Sequence, residues 1–97
     1  MFYHIVALAL TQSFGAAELA ETAVFATRIK AQCPDLIDFA LVPNLSARGN
    51  GYTHCVIGTF RNRDGYDVYP ACEGHVAFAE FMRPFILDMV VLDCEPA

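Results

Sequence analysis

The chain contains 97 residues, of which 56% are hydrophobic and only 18% are charged, and its net charge is −5. A chain of this length has room for one domain, 1–97, and this composition excludes an intrinsically disordered protein. The six basic residues are scattered along the sequence, which argues against a nucleic-acid partner because such a surface needs clustered cations.

Neither a membrane span nor an export signal is expected. No segment reaches the roughly 18 consecutive apolar residues of a membrane helix. The apolar N-terminal segment lacks the basic start of a signal peptide, so we expect a cytoplasmic protein with reduced thiols. No two cysteines form a C-x-x-C pair, which argues against a zinc ribbon or a thioredoxin motif; they are Cys33, Cys55, Cys72 and Cys94.

The first half of the chain predicts two strands flanking a helix. Residues 2–10 are apolar in both phases, as in a strand covered on both faces. Ser13 is the predicted N-cap of an alanine-rich helix over 16–31, which ends before Pro34. Residues 35–43 form the second predicted strand. The apolar stripe of the helix consists of Leu19, Ala23, Ala26 and Ile29.

The second half predicts two more strands separated by helical segments. A polar loop over 44–51 precedes a third strand over 52–60, and Asp64-Gly65 predicts a turn next to a short helix. Residues 75–82 predict a helix that stops before Pro84, followed by a fourth strand over 86–94. The side chains of this helix expected to face inward are Phe78, Phe81 and Met82.

The element order β-α-β-β-α-β predicts an α+β, ferredoxin-like protomer with a four-stranded antiparallel sheet and helices on one face. Three of the strands are apolar on both faces, so the face without helices needs a cover. A second copy of the sheet is the simplest cover, and two facing sheets would form a homodimeric α/β barrel. The high apolar fraction agrees with a buried interface or an enclosed apolar ligand.

The segment YPACEGHVAF, residues 69–78, carries the residues best suited to chemistry. Cys72 and His75 have C-x-x-H spacing, but a zinc site needs three or four ligands and no second Cys/His cluster exists, so no metal is expected. Cys72 could be a nucleophile at a helix N-terminus, although no third residue is evident to orient His75 as its base. Two further readings stay open from the residues alone: Tyr69 and His75 form an acid/base pair, or the segment is only the first turn of a helix that happens to contain these residues.

Five segments spread over nearly the whole chain carry a resemblance to a known family: HIVALAL, CPDLIDFALVPNLS, GYTHCVIGTF, HVAF and MVVLD. In their order and spacing they resemble the stress-responsive dimeric α/β-barrel (Dabb) family. The resemblance implies a ferredoxin-like protomer and a homodimeric barrel. One plant branch contains the cyclase that makes olivetolic acid from a linear tetraketide thioester, by a cofactor-free aldol condensation.

That resemblance implies a site. The working tyrosine and histidine of the cyclase, six residues apart, fall on Tyr69 and His75, and two further pocket histidines fall on His4 and His54. The chain departs from the family's usual Y-x-x-H-P-x-H, because Cys72 and Glu73 replace the His-Pro. The predicted catalytic pair is Tyr69 and His75, and the predicted ligand-pocket residues are His4, His54, Phe78 and Phe81.

The chemistry of this pair is consistent with an enzyme that needs no cofactor. At a helix N-terminus His75 is expected to be neutral and able to accept a proton, while Tyr69 could donate a hydrogen bond to a carbonyl oxygen where charge develops. The hypothesis is therefore a cyclase or lyase acting on a small hydrophobic carbonyl compound. Alternatives are a non-catalytic stress protein, in which His75 only caps its helix and hydrogen-bonds a neighbouring loop, and a cofactor-free monooxygenase.

Overall fold

A computed structural model describes residues 1–96. The elements follow the order strand, helix, two strands, two helices, a 3₁₀ turn and a final strand. Their bounds are β1 Phe2–Leu10, α1 Ala16–Gln32, β2 Leu36–Pro43, β3 His54–Phe60, α2 Arg63–Asp67, α3 Glu73–Met82, the 3₁₀ turn Arg83–Phe85 and β4 Ile86–Cys94.

The four strands form one antiparallel sheet in the order β2-β3-β1-β4. The central strand β1 pairs with β3 on one side and with β4 on the other, so that Val6 lies opposite both Val56 and Val91. This topology confirms the predicted ferredoxin-like β-α-β-β-α-β protomer.

The two faces of the sheet differ in cover. In β1 the even-numbered side chains from Phe2 to Leu10 are buried, whereas the odd-numbered ones are only half-buried. Strands alternate their side chains between faces, so the even-numbered set packs under the helices. The other face, here called the open face, carries apolar side chains that no described residue covers; they include Ile5, Ala7, Ile57, Val90 and Leu92.

Helix α1 begins at Ala16, so the predicted N-cap, Ser13, lies two residues too early in the chain. Ser13 does not cap it; the Ser13 hydroxyl instead bonds to the Thr11 hydroxyl, 2.7 Å away. The N-cap is Gly15, whose amide donates to the Glu18 carboxylate at 2.8 Å, so a first-turn carboxylate satisfies the free backbone donor. The buried face of the helix also differs from the predicted apolar stripe, because Thr22 is buried together with Ile29 whereas Ala23 is exposed.

The segment between β3 and α3 is more helical than the sequence indicated. Asp64 and Gly65 lie inside α2 rather than in a turn, because the Asn62 side chain caps this helix by accepting from the Gly65 amide at 2.8 Å. Helix α3 begins at Glu73 with Cys72 as its N-cap, which places His75 at the third helical position. Within residues 1–96, no helix is long and apolar enough to cross a membrane.

Candidate functional site

A cavity of about 560 Å³ lies between the helix-covered face of the sheet and helices α2 and α3. Its size is within the usual range for a small-molecule site, about 300–1,000 Å³. It opens to solvent along the edge strand β4, where Met89 and Val91 are exposed. Its apolar walls are formed by Val6, Leu8, Val56, Phe78, Ala79, Met82, Ile86, Met89 and Val91, and its polar side chains are His4, Tyr66, Tyr69, His75 and Arg83.

Tyr69 and His75 contact each other in this cavity, with ring centroids 4.4 Å apart. The Cys72 amide donates to the Tyr69 carbonyl, and the Cys72 carbonyl accepts from Val76, so a tight turn carries the chain from Tyr69 into α3. Two residues that are six apart in sequence therefore share one wall.

The hydrogen bond of His75 determines which of its ring nitrogens can act as a base. Its Nδ1 lies 2.9 Å from the Pro70 carbonyl oxygen, which can only accept, so Nδ1 carries the hydrogen. In the neutral imidazole the lone pair is then on Nε2. The loop contact expected from a purely structural histidine is thus present, but it leaves Nε2 available to a ligand.

Tyr69 keeps its hydroxyl protonated and unpartnered. Its side chain is only 2% exposed, and no residue among 1–96 hydrogen-bonds to the hydroxyl. No fully enclosed side-chain oxygen or nitrogen in this part of the chain lacks a partner, so the hydroxyl opens onto the cavity. Burial, followed by the neighbouring Tyr66 and Cys72, raises the pKa of Tyr69 well above 10. The hydroxyl can therefore donate a hydrogen bond to a ligand.

This pKa gives a prediction for stability in base. The pKa of Tyr69 is about 10 in the unfolded chain and higher in the folded one, so its contribution to stability is complete below pH 10 and falls as the pH rises above that value. In Tyr69→Phe this loss, about 1.4 kcal/mol for each pH unit, should disappear. Urea unfolding of both proteins at pH 8 and pH 11, with reductant present, measures the difference. An equal fall in both proteins would contradict the assignment.

A second polar group joins two residues of the cavity lining, His4 and Tyr66, to Asp93. The His4 Nδ1 lies 2.5 Å from one carboxylate oxygen of Asp93, and the Tyr66 hydroxyl donates to the other at 3.3 Å. His4 and Asp93 are direct partners across β1 and β4. The carboxylate orients the imidazole with Nε2 free, and the His4 ring lies 5.4 Å from Tyr69. The cavity therefore contains two histidines beside one tyrosine.

Asp93 and Tyr66 were not among the residues proposed from the sequence for this site. The signal that could have found Asp93 is strand register, since the antiparallel pairing of β1 with β4 places it opposite His4. Tyr66 gives no such signal. Its position depends on α2, and the sequence predicts a turn at Asp64-Gly65, where the structure has this helix.

Two residues predicted to line the pocket lie outside the cavity. His54, at the far end of β3, packs edge-on against Phe14 and bonds to the Thr53 hydroxyl at 2.8 Å. Burial lowers its pKa, as expected for a histidine packed against the core. Phe81 points between the helices and contacts Phe25 and Phe85 instead. By contrast, His4 and Phe78 line the cavity together with Tyr69 and His75.

Cys72 contacts a thiol rather than a metal site. It caps α3, and its sulfur lies 3.8 Å from that of Cys33. No cluster of three or more His, Cys, Asp or Glu side chains within residues 1–96 is arranged to hold a metal ion.

Solved structures from plants and bacteria share this fold. A protein of Arabidopsis thaliana is 19% identical with a TM-score of 0.83, covering 100% of this chain and 96% of its own. A dimeric ferredoxin-like protein of unknown function from Thermobifida fusca is 18% identical with a TM-score of 0.80, covering 98% and 90%. The hydroxynitrile lyase of Passiflora edulis is 17% identical with a TM-score of 0.80, covering 99% and 93%.

Family membership follows from sequence rather than from these folds. No curated protein matches the chain significantly. Residues 2–96, however, match the family model described as Stress responsive A/B Barrel Domain. Because this match spans nearly the entire chain, the protein belongs to the stress-responsive A/B barrel (Dabb) family.

Proposed function

We propose that the cavity binds a small, largely hydrophobic carbonyl compound and that Tyr69 and His75 catalyse proton transfer on it without a cofactor. The observation that carries this proposal is the free Nε2 of His75 next to the unpartnered, protonated hydroxyl of Tyr69. A base and a hydrogen-bond donor beside one apolar cavity are the two groups that enolate chemistry needs.

The most concrete version is a cyclase or lyase of the aldol type. His75 Nε2 removes a proton from the carbon between two carbonyl groups, and Tyr69 donates its hydrogen bond to the oxygen on which negative charge develops. The resulting carbanion attacks a further, more distant carbonyl carbon of the same molecule, whose C=O π bond breaks, and the proton on His75 Nε2 is transferred to the new alkoxide. The resemblance to the olivetolic acid cyclase branch supports this version for a poly-β-keto thioester.

The lining also suggests the shape of the ligand. Phe78, Met82 and Val91 suit an alkyl or aryl tail, while Tyr69 and His75 form the polar wall. Arg83 is the one lining residue with a permanent charge, and within residues 1–96 no acidic group pairs with it. Such a rim suits a carboxylate or a phosphate-bearing thioester at the solvent end of the ligand.

A homodimer is part of the same proposal. The open face carries a row of apolar side chains across three strands, and several of them are well exposed; Leu92, for example, is 54% exposed. A contiguous apolar surface of this kind is typical of an interface. The similarity to the Thermobifida fusca protein, which is described as dimeric, supports a second copy as the partner.

The dimer gives a prediction. Ile57 lies on β3 and points to the open face, so Ile57→Lys would place a charge in a sheet-to-sheet interface and should yield monomers. Val24→Lys is the matched control, because Val24 is similarly exposed but lies on α1, on the opposite side of the sheet. Sedimentation velocity compares the two. A wild-type monomer, or an Ile57→Lys variant that stays dimeric, would show that the open face is not the interface.

Three assays on the wild-type protein test the activity. Cyclisation of a poly-β-keto thioester is the expected result. The similarity in fold to a hydroxynitrile lyase makes cleavage of a hydroxynitrile the natural second assay, because that cleavage also needs a base and a hydrogen-bond donor. Oxygen uptake with a hydroquinone substrate tests the monooxygenase alternative. If all three substrates remain unchanged, the proposal of catalysis fails, and the alternative of a non-catalytic stress protein is favoured.

A further inference from the structure

Cys33 and Cys72 are the only pair of thiols in contact among the described residues, and the mechanism above uses neither. Their sulfurs are 3.8 Å apart. Cys33 is the C-cap of α1 and is 1% exposed, whereas Cys72 is the N-cap of α3 and is half-buried. The pair therefore joins the end of one helix to the start of the other.

Side-chain hydrogen bonds and an ion pair near the two thiols hold the end of α1 against the start of α3. The Gln32 side chain accepts from the Gly74 amide at 2.6 Å and donates to the Glu73 carboxylate at 2.9 Å. Arg28 forms an ion pair with the same carboxylate. A Cβ at Gly74 would lie 3.2 Å from the Ile29 backbone nitrogen, so the helix ends are already in close contact.

From this geometry we infer that Cys33 and Cys72 form a reversible intramolecular disulfide under hydroperoxide stress, and that this bond changes the site. A disulfide places its sulfurs about 2.05 Å apart. Rotation of the two cysteine side chains can bring the sulfurs from 3.8 Å to this bonding distance, because the helix ends are already held together. Neither Cys55, half-buried on β3, nor the exposed Cys94 has a thiol neighbour of this kind within residues 1–96.

The chemistry divides between the two thiols. Burial and the neighbouring Cys72 raise the pKa of Cys33 to about 11, so Cys33 is a thiol near neutral pH, and the more accessible Cys72 meets the oxidant first. The Cys72 sulfur attacks the hydroperoxide, the O–O bond breaks, and a sulfenic acid and an alcohol form. The Cys33 sulfur then displaces the hydroxyl of the sulfenic acid as water. Two thiols lose two electrons, and the hydroperoxide gains them.

The disulfide would act on the candidate site because Cys72 lies midway between Tyr69 and His75. The Cys72 amide donates to the Tyr69 carbonyl at 3.1 Å, and its carbonyl accepts from Val76 at the same distance. Drawing the Cys72 side chain toward α1 therefore strains the turn that positions both rings. The Pro70 carbonyl that fixes the tautomer of His75 belongs to this turn.

Peptide mapping tests the disulfide without any knowledge of the substrate. The protein is treated with stoichiometric hydrogen peroxide, alkylated, and digested after Arg, Lys and Glu, which places the four cysteines in four separate peptides. We expect one linked pair, the peptides of Cys33 and Cys72, which dithiothreitol separates. Cys72→Ala should lose the link, and Cys94→Ala should keep it. Links that involve Cys55 or Cys94, or over-oxidised Cys72 beside free Cys33, would overturn the inference.

The effect on the site has its own readout. The ring signals of the histidines in an NMR spectrum, assigned with His75→Gln and His54→Gln, are compared before and after oxidation. We expect the His75 signal to move and the His54 signal to stay, because His54 lies at the far end of β3. A linked protein with an unchanged His75 signal would refute the coupling, whatever the outcome of the activity assays.

Discussion

Replacement of His75 by glutamine should lower turnover of a poly-β-keto thioester by about 10²- to 10⁴-fold, the usual contribution of a positioned general base. Glutamine can still donate a hydrogen bond to the Pro70 carbonyl, but it has no nitrogen that accepts a proton at neutral pH. Because the change is made at a partly exposed position and keeps the one hydrogen bond of the ring, it should cost at most about 1 kcal/mol of stability.

His54→Gln is the matched control for this experiment. The same substitution is made in a histidine of β3 that lies on the helix-covered face of the sheet but outside the cavity. Steady-state kinetics and thermal unfolding of both variants should show turnover lost in one and retained in the other, with similar melting temperatures. If the two variants lose turnover equally, or if His75→Gln loses it only in proportion to its unfolded fraction, then His75 is not the base.

Replacement of Phe60 by alanine should reduce the free energy of unfolding by roughly 3–5 kcal/mol, the cost of removing a buried phenylalanine. Phe60 is fully buried at the end of β3, and its ring packs edge-on against both Tyr66 and Tyr69, with centroids 5.4 and 5.6 Å away. The Phe60 ring therefore supports Tyr69 and is also part of the core. Chemical denaturation measures the loss.

Two control substitutions test whether the stability loss of Phe60→Ala comes from lost packing in the core. Phe60→Leu keeps most of the buried volume and should cost clearly less than the alanine change. Leu45→Ala removes a large apolar side chain that is 92% exposed and should leave stability within about 0.5 kcal/mol. A Phe60→Ala protein as stable as the Leu45→Ala protein would show that the aromatic cluster around Tyr69 does not hold the fold.

The architecture could be predicted because local patterns and global fold agree. The strand over 86–94 has the predicted bounds, and the strand over 2–10 alternates as its face assignment requires, with His4 buried among Phe2, Val6 and Leu8. Helix caps were less predictable. The Ser13 hydroxyl suits an N-cap, but the Glu18 carboxylate accepts from the N-cap amide instead, and sequence propensity cannot decide between two possible acceptors.

The site was predictable only where residues share one element or one turn. Tyr69 and His75 are joined by a single turn, so their spacing indicated their contact. His54 lies on the helix-covered face but at the far end of β3. The alternation of a strand predicts which face a side chain is on, but not whether its position along the strand is next to the cavity. Asp93 needed the register between the first and last strands, which depends on the whole chain.

A crystal structure of the protein with a 1,3-diketone that carries a short alkyl tail would show whether Tyr69 and His75 contact the reacting groups. We expect one carbonyl oxygen within hydrogen-bond distance of the Tyr69 hydroxyl, the carbon between the carbonyls next to His75 Nε2, and the tail along Phe78 and Met82. A diketone bound elsewhere, or bound in the cavity with neither polar group in contact, would contradict the assignment of Tyr69 and His75 as the acid/base pair.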